Sequence, residues 1–211
     1  YRNYPDDIVE RFVKKSIQNG IDIVRIFDAL NDVRNLKTAC EATKKYGGHA
    51  QLAMSYTISP VHTIEYYKNL ALEMQEIGAD SIAIKDMSGI LLPEVAYELV
   101  KTLKSVLRVP VEVHTHATAG LASMTYLRAI EAGADIVDTA ISPLSGGTSQ
   151  PATESLVRTL QGTERETGFD LNLLKEIAEY FKPIRAKYLQ EGILNPQALM
   201  TEPSIVEYQL P

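Results

Sequence analysis

The sequence predicts an α/β chain of the (β/α)8 TIM-barrel type, here about five strands and the start of a C-terminal helical region. Three observations carry this prediction. Apolar, strand-like runs alternate with helical patterns, and their ends fall near residues 28, 57, 86, 116 and 141, a spacing of roughly 25 to 30 residues that suits a βα unit. Three junctions, NGIDIVRIF, IGADSIAIK and AGADIVDTA, share one design, a helix ending on glycine with a strand close behind, as a left-handed C-cap requires. Polar residues close all five runs: Arg25 and Asp28, Ser55 and Tyr56, Lys85 and Asp86, His114 and His116, Asp138 and Thr139. A barrel gathers its functional groups at those strand ends. An open doubly wound sheet would normally show G-x-G-x-x-G after its first strand, and none of the five runs is followed by it.

In chain order, YPDDIVERFVKKSIQNG reads as an opening helix with Asp6 or Asp7 near its N-cap. Strands are expected over 21–28, 51–57, 81–86, 111–116 and 135–141. Their nearly continuous Ile, Val and Ala content fits parallel strands covered on both faces. VHTIEYYKNLALEMQEIG and PEVAYELVKTLKSVL read as helices between them, and LNLLKEIAEYFKPIRAKYLQEG as a long final helix. Residues 1–165 are thus expected to be the later part of a barrel whose first three strands precede them. Residues 166–211 are expected to be a helical segment leading towards a downstream domain.

Composition narrows the function classes. The 211 residues are 45% hydrophobic and 23% charged, with a formal charge of −6. No Lys/Arg cluster offers a footprint for nucleic acid. No apolar run approaches the length of a membrane span and no signal peptide is seen. The single cysteine, Cys40, sits at helical spacing in NLKTACEATKKY and is expected to be a buried thiol without a disulfide, which fits a cytoplasmic protein.

The chemistry centres on VEVHTH, 111–116. Side chains two apart on a strand share a face, so His114 and His116 are spaced to share a ligand, with two ordinary surface histidines as the alternative. Lys85 ends the preceding strand. It is either an ion-pair partner of Asp86, or a mouth lysine serving as a Schiff-base amine or as a carbamate formed with CO2. A carbamate would add an oxygen ligand to two imidazoles around a divalent metal. Asp28 is a candidate for orienting a ligand or a neighbour. SGGTSQP, 145–151, is read as a structural turn that helps shape the pocket, with phosphate binding as the rival. His49 and His62 are read as loop residues without ligand partners.

Taken together, YRNYPDD, RIFDALND, GGHAQLAMSYTISPVHTIEYY, AIKDMSG, VHTHATAG and GGTSQPATE resemble the carboxyltransferase domain of biotin-dependent pyruvate and oxaloacetate enzymes. That group includes the carboxyltransferase component of two-subunit pyruvate carboxylase, the oxaloacetate decarboxylase α subunit and transcarboxylase. The resemblance runs the whole chain in order. It implies a TIM barrel with a zinc-type metal at its mouth, manganese or cobalt being possible, held by a carbamylated lysine, two histidines and an aspartate. Carried over, the ligands are Lys85, His114 and His116, with Lys85 catalytic, while Tyr1 and Met87 match substrate-binding positions. The aspartate belongs to an R-D-x-x-Q-S motif on the first barrel strand, and a proton-passing threonine to a V-T-P-x-S-K segment. Neither motif is in this chain, so the chain alone is expected to be inactive. The resemblance further implies pyruvate or oxaloacetate as substrate, biotin on a separate carrier domain, a biotin carboxylase subunit or membrane decarboxylase subunits as partners, and a homodimer of barrels. Carboxyl transfer would pass through a metal-stabilised enolpyruvate.

Two rivals stand beside this reading. One is a metal-dependent aldol-type lyase or synthase akin to hydroxymethylglutaryl-CoA lyase and isopropylmalate synthase. Their H-x-H strand is usually followed by Asn-Asp and Gly, where this chain has ATAG, and they usually place D-T-x-G where this chain has Lys85. The other is an assembly surface with a vestigial metal site.

Overall fold

A computed structural model describes residues 3–203. The chain opens with α1 (Asp6–Gln18), then alternates β1 (Ile23–Phe27), α2 (Lys37–Lys45), β2 (His49–Ser55), α3 (Ile64–Glu76), β3 (Ser81–Asp86), α4 (Pro93–Val106), β4 (Val111–Thr115), α5 (Ala122–Glu131) and β5 (Ile136–Val137). Two helices follow, α6 (Thr153–Leu160) and α7 (Leu171–Gln190). The five strands form one sheet in the order β1-β2-β3-β4-β5, and every neighbouring pair is parallel. A doubly wound sheet reverses its strand order at a switch point. This sheet keeps one direction throughout, as successive βα units of a barrel do.

The glycine-capped junctions explain how the units repeat. Gly20, Gly78 and Gly133 have φ of +95°, +106° and +104°, a region open to glycine at little cost, so each helix stops and the chain turns directly into a strand. The opening helix differs from expectation in one detail. Pro5 takes the N-cap position without a side-chain bond, and Asp6 and Asp7 lie in the first turn, where they still favour the positive end of the helix dipole. β5 is also shorter than the expected 135–141. It pairs only with β4, through Ile136 and Val137, and among the described residues no strand flanks its other side, so the ladder ends early.

Strand register divides the sheet into two unlike faces. Ile26, Leu52, Ile82 and Val111 lie in one row, with Ile84 and Val113 in the next. All six are buried in the main core together with Leu70, Met74, Leu99 and Leu103 of the helices. The opposite face carries Arg25, Gln51, Ser81, Lys85, Glu112 and His114. The apolar face therefore anchors the fold, and the polar face gathers candidate site residues such as Lys85 and His114. Cys40 belongs to the core, as expected, and burial pushes its thiol up. Its alkylation by iodoacetamide near neutral pH is expected to be far slower in native protein than in denaturant. Equal labelling rates by mass spectrometry would contradict that burial.

Candidate active site

The ends of β2, β3 and β4 sit side by side, with Ser55 in register with Lys85 and Lys85 in register with His114. The expected histidine pair is formed. The His114 and His116 rings lie 5.0 Å apart at 72°. Both are held at Nδ1: His114 donates to Asp138 Oδ2 at 2.6 Å, and His116 donates to the Thr148 carbonyl at 2.5 Å. A carbonyl oxygen only accepts, so the His116 proton is assigned to Nδ1, and the anionic Asp138 favours the same tautomer for His114. Both Nε2 lone pairs are then available to a ligand, the arrangement that orients metal-binding imidazoles. Burial also holds His116 below the ordinary imidazole range, which keeps it neutral.

Lys85 stands next to these rings. Its Nζ lies 4.2 Å from the centre of the Phe27 ring, and burial, helped by the Arg25 guanidinium, lowers its ammonium from the usual range. The alternative ion pair with Asp86 is not made, because neighbouring strand residues point to opposite faces. Asp86 instead turns into the core, fully buried. There its carboxylate accepts from the backbone N–H groups of Gly89, Ile90 and Leu91 at 3.0, 3.1 and 2.8 Å and from the Thr115 hydroxyl at 2.7 Å. This nest shapes the loop carrying Met87, which is exposed beside the mouth. Gly89 closes the loop at φ +71°, where an added Cβ would lie 2.5 Å from the His116 carbonyl oxygen. Tyr1 lies outside the described residues.

The loops at the mouth are tied to one another. Asp28 accepts from the N–H groups of Asp32 and Leu30 and from the Asn35 amide, so it orders the β1–α2 loop. These bonds, that from Asp32 foremost, hold its carboxyl below the usual range. Asn31 carries no signal in the sequence, yet it exchanges bonds with both backbone groups of Ser55, at 2.8 and 2.9 Å. In 145–151, Gly146 N–H bonds the Gln150 carbonyl and the Ser149 carbonyl takes Ala117 N–H. The segment thus acts as a turn that seats His116. The tail also reaches this region, with Thr148 N–H on the Ala198 carbonyl and Glu202 N–H on that of Thr118, both at 2.7 Å. His49 opens β2 rather than lying in a loop, and its Nε2 meets Ser81 Oγ at 2.7 Å. His62 bonds Ser59 and packs on Tyr66.

A charged tier beneath the histidines is not foreseen as a unit by sequence reasoning. Arg25 donates to Gln51 Oε1 and to Asp138 Oδ2, each at 2.6 Å, and to Glu112. Gln51 in turn donates to Glu112 at 2.5 Å. Burial, followed by the nearby Asp138 charge, pushes Glu112 up. Burial opposes ionisation of Asp138 too, but bonds from His114 and Arg25 outweigh it and hold that carboxyl low. The one signal in the sequence is the presence of polar residues at alternate positions within apolar strands. Among the described residues, no three His, Cys, Asp or Glu side chains gather as a metal cage; of the residues that the resemblance implies, His114 and His116 lie together and Lys85 is in register with His114.

Comparison with known proteins gives a consistent result. Residues 11–181 match the HMGL-like family. The chain is 56% identical over its full length to a pyruvate carboxylase subunit of Methanocaldococcus jannaschii, and spans 37% of that protein. It is 47% identical, over 89% of its length, to the methylmalonyl-CoA carboxyltransferase 5S subunit of Propionibacterium freudenreichii, and spans 38% of it. Among solved structures it matches the carboxyl transferase domain of Rhizobium etli pyruvate carboxylase with a TM-score of 0.87 and 41% identity, covering 89% of this chain and 33% of that one.

Proposed function

The chain belongs to the HMGL-like family, and from that premise we propose that it forms the catalytic face of a biotin-dependent carboxyltransferase working between carboxybiotin and pyruvate or oxaloacetate. The observation that supports this most is the pair of imidazoles with Nδ1 committed and Nε2 free, beside an amine without an ionic partner among the described residues. The donor set fits a divalent cation. Imidazole accepts zinc, manganese or cobalt, and a Lys85 that has bonded CO2 as a carbamate would add an anionic oxygen. Held by Lys85, His114 and His116, such a cation would supply Lewis-acid stabilisation of the charge that builds on a carbonyl oxygen as an enolate forms.

The chain's own residues prepare that chemistry. Asp138 and Thr148 fix the two imidazoles. Asp86 sets the loop that presents Met87 towards the substrate. Asn31 ties the β1–α2 loop to the end of β2, and Asp28 orders that loop. The carboxyl group would arrive on biotin borne by a carrier domain, charged by a biotin carboxylase subunit or exchanged with membrane decarboxylase subunits. A second copy of the barrel is the expected partner. The ATAG that follows the histidines, and relatives named as pyruvate carboxylase, favour this reading over an aldol-type lyase.

The test uses the full-length protein. Stoichiometric divalent metal by elemental analysis and biotin-dependent loss of CO2 from oxaloacetate are expected, and Lys85→Ala is expected to lose both. A metal-free wild type, or a Lys85→Ala variant with full metal content, would refute the assignment.

A further inference from the structure

Of the charged tier under His114, the proposed carboxyl transfer uses Asp138 alone, yet the geometry gives Arg25 a task as well. We propose that Arg25 is a positioning residue that, through Asp138, fixes the tautomer and orientation of His114 towards its ligand, an inference that rests on the metal-site reading above. Asp138 follows a two-residue strand with a neighbour on one side only among the described residues. Its own backbone therefore fixes its carboxylate weakly. The anchor comes from the far edge of the sheet. Arg25 on β1 reaches across the polar face, and its Nη1 meets the same Oδ2 that accepts from His114.

The guanidinium is itself held in one orientation. Its Nε bonds Gln51 of β2 at 2.6 Å and its Nη2 bonds Glu112 of β4, while the other Glu112 oxygen takes the Gln51 amide. A planar fork can serve three partners at once in a way that a lysine ammonium on a flexible stem cannot. Without Arg25, the Glu112 and Asp138 carboxylates face one another with no cation between them. Asp138 then turns away and releases His114 Nδ1. His116 is held by the Thr148 carbonyl instead, so it is untouched by this relay and serves as an internal control.

The experiment compares wild type, Arg25→Met and Arg25→Lys in the full-length protein. It reads histidine 15N resonances in metal-free protein, zinc affinity by chelator competition, and melting temperature. Arg25→Met is expected to move His114 off the Nδ1–H tautomer, to leave His116 unchanged, and to weaken zinc about 10- to 100-fold, the range for loss of a group that orients a metal ligand. Arg25→Lys is expected to restore only part of each effect, and it carries the test alone if Arg25→Met does not fold. A lowered melting temperature with unchanged His114 resonances and unchanged zinc affinity would reduce Arg25 to a structural brace and overturn the inference. If wild type binds no zinc while the His114 tautomer still follows Arg25, the positioning role stands and the metal reading falls.

Discussion

His116→Ala is expected to abolish tight metal binding by the full-length protein and to lower carboxyl transfer about a thousandfold or more. The imidazole is half-buried, kept neutral by burial, and held by the Thr148 carbonyl with Nε2 free. Its loss would remove a ligand from a Lewis acid worth several kcal/mol of charge stabilisation, and about 1.4 kcal/mol corresponds to each factor of ten in rate. Folding should change little, because the ring bonds a loop carbonyl and lies outside the main core. Metal content, turnover and melting temperature measured together decide the matter. Activity within tenfold of wild type at normal metal content would show that His116 is no ligand.

The second large effect is on stability. Asp86→Ala strips the acceptor from three backbone N–H groups and the Thr115 hydroxyl, all in a fully buried place. Each unsatisfied buried donor costs roughly 1–3 kcal/mol, and allowing for partial relaxation the net loss should be about 4 kcal/mol or more. Urea unfolding should show a much lower midpoint with an unchanged slope. Asp86→Asn, which keeps an acceptor oxygen but gives up the charge, should fall between. The damage should also reach the site, because the loop pinned by Asp86 packs Gly89 against the His116 carbonyl. A midpoint within about 0.3 M of wild type would mean that water satisfies these donors instead.

Much of the fold is legible in the linear pattern. Four of the five expected strands agree with β1 to β4 to within about two residues at each end, because each apolar run is bracketed by glycine or polar residues with a local steric reason to turn. The left-handed glycines at 20, 78 and 133 follow from the same local rule. The His114/His116 pair is legible because strand periodicity is local as well. The Lys85–Asp86 ion pair could have been set aside on that ground alone, since adjacent strand residues face opposite ways.

What sequence alone determined is whatever a few consecutive residues decide: where strands start, which face a side chain takes, and the composition of the strand tips. Tertiary structure decided the rest. The partnership of Arg25, Gln51, Glu112 and Asp138 spans up to 113 residues of chain, the meeting of Asp86 with Thr115 spans 29, and the Thr148 carbonyl lies 32 residues from His116. Such pairings depend on register and sheet curvature, which arise when helices and strands bury their shared apolar face. Hydrophobic burial is not directional, so a linear pattern can announce that a polar face will form without saying which of its charges will touch.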